Sequence, residues 1–116
     1  MVEAKRVRIG KFGLSPEALE LIREVFRRHP EVRRVKIFGS RALGRFEDYS
    51  DVDMALWGDL DLPLIGRIVR ELDELPLPYT FDVKAYQSIS HEPVRHHIDE
   101  FGRVLYVALD RLLLVL

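Results

Sequence analysis

The sequence predicts one small α/β (α+β) domain in which helices and strands alternate along the chain. Three observations carry that expectation. Two stretches repeat apolar residues at helical spacing: Ala18, Leu19, Ile22, Val25 and Phe26, then Leu64, Ile65, Ile68, Val69, Leu72 and Leu75. Short runs that suit strands fall near 33–38, from Asp51 to about Trp57–Gly58, and at 80–85. At 116 residues, 47% hydrophobic and 32% charged, the chain can bury one modest core, so 1–116 is expected to be a single domain.

The elements follow from local chemistry. Ser15 is a helix cap with Pro16 at the first helical position, Leu14 can pack on Leu19 as a hydrophobic staple, and His29-Pro30 ends the helix. A strand at about 33–38 runs into Gly39-Ser40, which turns the chain into a short helix around Ala42-Leu43. Tyr49 and Ser50 lead into the second strand. Asp61 caps the next helix, and Pro76 and Pro78 stop it. In the third strand Phe81, Val83 and Ala85 share one face and Thr80, Asp82 and Lys84 the other. Ser90 is expected to open a last helix carrying Val94, His97, Ile98 and Phe101, with Gly102 as its stop. Residues 103–116 are too uniformly apolar for periodicity to choose between strand and helix.

Composition narrows the function classes. The absence of cysteine excludes disulfides and thiolate metal sites, and no apolar segment precedes the basic start, so the cytoplasm is the expected compartment. The closing LLLVL is too short to span a bilayer and reads as a core element or a partner-facing tail, which leaves homo- or hetero-oligomers open. A net charge of −1 argues against nucleic acid as the main partner. The charge is unevenly placed, however: residues 1–46 carry 12 Lys and Arg against 5 Glu, whereas 47–116 carry 6 against 14 acids. The sign changes between the Gly-Ser turn and the aspartates, and polyphosphate held through metals needs both signs nearby.

The informative run is Phe38 to Leu56, FGSRALGRFEDYSDVDMAL. Gly39 permits a sharp turn whose backbone N–H groups can face a phosphate. Strand alternation then puts Asp51, Asp53 and Ala55 on one face and Val52, Met54 and Leu56 on the other, with the two aspartates roughly 7 Å apart at the backbone. Paired carboxylates of this kind suit divalent ions, and Mg²⁺ commonly takes one or two carboxylates plus substrate phosphates. Asp82 repeats the setting of Asp53, an acid within a core-forming strand. His91, His96 and His97 do not form a ligand set, because His97 lies on the apolar helical face and His96 points elsewhere. Tyr49, Trp57 and Tyr79 read as packing residues, with Tyr49 close enough in sequence to reach a nucleotide.

Gly39-Ser40, then Asp51-Val52-Asp53, then Asp82 after a helical interval, in the order helix, strand, Gly-Ser, Asp-x-Asp strand, helix, Asp strand, resembles the DNA polymerase beta-like nucleotidyltransferase superfamily. The likeness covers about residues 15–105 and is to its minimal nucleotidyltransferase (MNT) branch. The resemblance implies a polymerase beta-like fold, a small mixed sheet flanked by helices. It also implies that Asp51, Asp53 and Asp82 are the catalytic residues and hold two Mg²⁺ ions, with Asp82 assisting deprotonation of the incoming hydroxyl. Gly39 and Ser40 would hold the β- and γ-phosphates of ATP, and Arg41 and Arg45 the remaining charge. Small MNT proteins resemble the antitoxins that neutralise HEPN-domain ribonuclease toxins, some by transferring AMP from ATP to a toxin tyrosine. A non-catalytic binding module of such a pair and transfer to a small molecule are the alternative readings. The sequence departs from the family at Leu43, where a basic residue is common. Lys84 is placed either at phosphate or at the sheet rim.

Overall fold

The structure is a computed structural model that describes residues 11–48 and 50–108. Helix α1 spans Pro16–Arg27, and the Ser15 hydroxyl accepts the Ala18 N–H at 3.0 Å, as the cap requires. Its apolar stripe is buried at all five expected positions, Ala18, Leu19, Ile22, Val25 and Phe26. Strand β1 (Val32–Phe38) leads through Gly39 into the one-turn helix α2 (Ser40–Leu43), and β2 (Val52–Gly58) follows. Helix α3 (Leu62–Asp73) begins with the Asp61 carboxylate accepting the Leu64 N–H at 2.9 Å. Strand β3 (Phe81–Ala85), helix α4 (Glu92–Phe101) and strand β4 (Arg103–Val107) complete the chain as described.

The sheet has the order β3-β2-β1-β4, with β1 antiparallel to both β2 and β4, and β2 parallel to β3. It is therefore mixed. Its polarity brings the C-terminal end of β1 and the N-terminal ends of β2 and β3 to one edge, and the candidate residues sit there. One face, with Val35, Ile37, Val52, Met54, Leu56 and Leu105, packs against α1 and α3 in the main core. Several of these side chains are fully excluded from water, and burial of each stabilises by about 1.5–3 kcal/mol. Across the other face Phe38 and Ala55 meet Ile98 of α4, with Trp57, Tyr86, Ile89 and Val94 around them. At the end of α1, His29 Nε2 and Glu71 Oε1 are 2.8 Å apart, tying that helix to α3.

Boundaries differ from the sequence reading: β2 begins at Val52, so Asp51 lies just ahead of the strand and not on it. The last helix starts at Glu92 with His91 as its cap residue, not at Ser90. Pro93 has no N–H to give and so belongs in a first turn, where that donor has no intrahelical partner. The undecided 103–116 stretch is a strand as far as Val107, and the Ala108 N–H donates to the Arg33 carbonyl at 2.9 Å. The expectations for Tyr49 and for the tail from residue 109 fall outside the described residues. Among the described residues no helix is long and apolar enough to cross a membrane.

Candidate active site

Register builds the site. Asp53 is the partner of Phe38 on one side and of Asp82 on the other, so the acids of β2 and β3 lie side by side next to the end of β1. Asp51 precedes β2 and is exposed, whereas Asp53 is partly buried. Burial first, then the charges of Asp82 and Asp51, push the Asp53 carboxyl up from 3.8 to about 6, and Lys84 partly opposes them. Lys84 lies at the acids: its Nζ is 3.1 Å and 3.3 Å from the two Asp82 carboxylate oxygens.

The Gly-Ser turn closes on these acids. Gly39 has φ 76° and ψ −152°, a conformation nearly confined to glycine. It also lies so close to Asp53 that an added Cβ would sit 2.4 Å from Asp53 Oδ2. The Gly39 N–H donates to His97 Nε2 at 2.9 Å. Ser40 opens α2, and Gly44, in the left-handed conformation, ends it. Gly39→Ala is expected to cost about 2 kcal/mol in urea unfolding, because both the backbone and the carboxylate must shift. Part of that loss should be recovered on adding Asp53→Ala. Strictly additive effects of the two substitutions would show that glycine and carboxylate do not touch.

The basic candidates separate. Arg41 is only 2% exposed and lies beneath the loop, donating from Nη1 to the Phe12 carbonyl at 2.9 Å, from Nη2 to that of Asp48 at 3.0 Å and from Nε to that of Ser50 at 3.1 Å. Its guanidinium also lies 5.0 Å from the Phe46 ring centre and 4.8 Å from that of Tyr79, and burial lowers its pKa. Arg41 is thus engaged with the backbone of the loop that precedes Asp51. Arg45 is exposed, as is Leu43. Trp57 stacks on Tyr86 with ring centres 4.6 Å apart, and Arg34 lies 4.2 Å over Trp57. Trp57 and Tyr79 are therefore packing residues, as their sequence context suggests.

Two roles were not legible in the motifs: Arg41 as a loop clamp and His97 as the Gly39 acceptor. A signal for the second exists, since an imidazole within the Val94, Ile98, Phe101 stripe must find a polar partner. Among the described residues no three His, Asp or Glu side chains are already grouped to hold a metal ion. The donor set nonetheless fits one. It is all carboxylate oxygen, the preference of Mg²⁺, and after burial the charges of Asp82 and Asp51 add to the raised Asp53 carboxyl, a repulsion that a cation would offset.

The model of the family described as "Polymerase beta, Nucleotidyltransferase" matches residues 20–110. This chain belongs to that family. Solved structures share the family's fold. A toxin–antitoxin crystal structure with AMP-PNP aligns with TM-score 0.65 and 19% identity, covering 84% of this chain and 86% of that one. The MNT antitoxin complex with the tri-AMPylated HEPN toxin of Shewanella oneidensis aligns with TM-score 0.60 and 17% identity, over 85% of this chain and 84% of that one. The MntA–HepT toxin–antitoxin structure gives TM-score 0.59 and 17% identity, over 85% of each chain. No curated protein matches the sequence.

Proposed function

We propose that this protein is a Mg²⁺-dependent nucleotidyltransferase that moves AMP from ATP to a hydroxyl of a partner protein, and that it is the antitoxin of a HEPN-domain ribonuclease toxin. The observation that carries the reading is the single cluster made by Gly39 against Asp53 and Asp53 beside Asp82. Structural likeness to MNT antitoxins, one solved with an AMPylated HEPN toxin, supports the choice of partner.

In this reaction the acceptor oxygen attacks the α-phosphorus, its proton passes to a carboxylate, and the bond to the oxygen bridging the α- and β-phosphates breaks to release pyrophosphate. Asp82, half-exposed at the β3 end, takes the proton. Asp51 and Asp53, with Asp82, would hold Mg²⁺, whose contribution when bound is charge neutralisation at the attacking and leaving oxygens. Ser40, at the start of α2, offers its hydroxyl and N–H to the β- and γ-phosphates, and exposed Arg45 adds charge at the open side.

Labelled ATP, Mg²⁺ and the protein encoded by the adjacent reading frame form the test. Label should pass to that partner from the wild type and not from Asp53→Ala; transfer unaffected by the substitution would end the proposal. The Asp82–Lys84 ion pair favours a second reading, a binding module, because it supplies one carboxylate with a counter-charge that is part of the fold. Protection of cells from the partner by an Asp51→Ala, Asp53→Ala double variant would select that reading.

A further inference from the structure

We infer that His97 is a positioning residue for the nucleotide site, holding the Gly39 turn so that Ser40, not Gly39, faces the triphosphate. This rests on the nucleotidyltransfer reading and deepens it. The Gly39 N–H is the donor a phosphate would be expected to use, yet it is directed at His97 Nε2, 2.9 Å away. For Nε2 to accept, the imidazole is neutral with its proton on Nδ1.

The turn needs such a hold. Gly39 at φ 76°, ψ −152° is in a region that persists only where surrounding contacts over-determine it. On one side stands the Asp53 carboxylate, close enough to forbid a Cβ. On the other, His97 supplies the hydrogen bond, across 58 residues of sequence. His97 is itself fixed. Its ring meets Phe38 edge-on at 6.1 Å between centres and lies 5.5 Å from Phe101, and neighbouring Ile98 is fully buried against Phe38 and Ala55. Helix α4 thereby sets the orientation of the loop between β1 and α2. The donors left to a triphosphate are those beyond Gly39, beginning with the Ser40 hydroxyl and N–H.

The test compares three full-length proteins, wild type, His97→Phe and His97→Gln, by calorimetric titration with α,β-methylene-ATP in Mg²⁺, an analogue that cannot release pyrophosphate. Phenylalanine keeps the aromatic packing and removes the acceptor; glutamine offers an amide oxygen at similar reach. His97→Phe is expected to bind about tenfold more weakly, and His97→Gln to return to within about threefold of wild type. Faster exchange of the Gly39 amide proton in His97→Phe, restored in His97→Gln, would support the same conclusion from the bond itself. Equal affinity of wild type and His97→Phe would overturn the inference alone. So would equal weakening in both variants, which would mark His97 as a packing residue. A wild type that binds no nucleotide overturns the nucleotidyltransferase reading, and the role of His97 in phosphate binding with it.

Discussion

Asp53→Asn is expected to lower AMP transfer by about a thousandfold while making the metal-free protein more stable at neutral pH. Both effects come from one carboxylate. Asp53 is partly buried beside Asp82 and Asp51, and its carboxyl is raised from 3.8 to about 6. Between about pH 4 and 6 the folded protein therefore keeps a proton that the unfolded chain has released, so stability falls as pH rises through that window. Above about pH 6 the full cost is present. At full strength such a rise would amount to about 3 kcal/mol, and solvent screening at this partly open position reduces it to about 1–2 kcal/mol.

Urea unfolding in EDTA should therefore show Asp53→Asn more stable than wild type by about that amount at pH 7.5 and by only about a third of it at pH 4.5. Mg²⁺ should raise the melting midpoint of the wild type and leave that of Asp53→Asn in place, since only a ligand that binds the native state stabilises it. A variant that is less stable than wild type at pH 7.5 would show that the carboxylate is stabilising where it stands.

Much of this site was legible because its signals are covalent neighbours. Asp51 and Asp53 are two residues apart, although Asp51 stands just ahead of β2 rather than on its pleat, and the Asp53–Asp82 pairing needs only two strands in register. Ser15 and Asp61 announced their helices through side chains that accept backbone N–H groups three residues on. Strand β4 was hidden for a physical reason: Val104 and Val107 are exposed apolar residues, and a register shift opposite Val35 and Lys36 breaks the alternation that marks a half-buried strand. His97 was hidden because its partner is a backbone amide 58 residues away. Arg41 is the clearest case. Adjacent to Ser40 and basic, it looks like a phosphate contact, but its partners are carbonyl oxygens, and a carbonyl has no residue-specific mark in a sequence.

That burial makes Arg41 the site of the second large effect. Arg41→Met, which preserves length and packing volume, is expected to destabilise the protein by about 3 kcal/mol or more, because the carbonyls of Phe12, Asp48 and Ser50 lose their donors together. The aromatic faces of Phe46 and Tyr79 lose the guanidinium lying over them as well. Arg41→Lys keeps the charge but replaces a planar fork by a single ammonium that cannot span three divergent acceptors. It should recover only part of the loss. This separates the clamp from a phosphate ligand. A ligand's replacement by lysine would weaken nucleotide binding and leave unfolding without nucleotide unchanged, whereas a clamp's replacement lowers the urea midpoint before any nucleotide is added. Because the clamp ends on the Ser50 carbonyl, one residue ahead of Asp51, loosening it frees the entry to β2. Transfer activity should therefore fall in Arg41→Lys even where nucleotide saturates the site. Wild-type unfolding in Arg41→Lys, together with weakened binding of α,β-methylene-ATP, would instead place this arginine at the triphosphate.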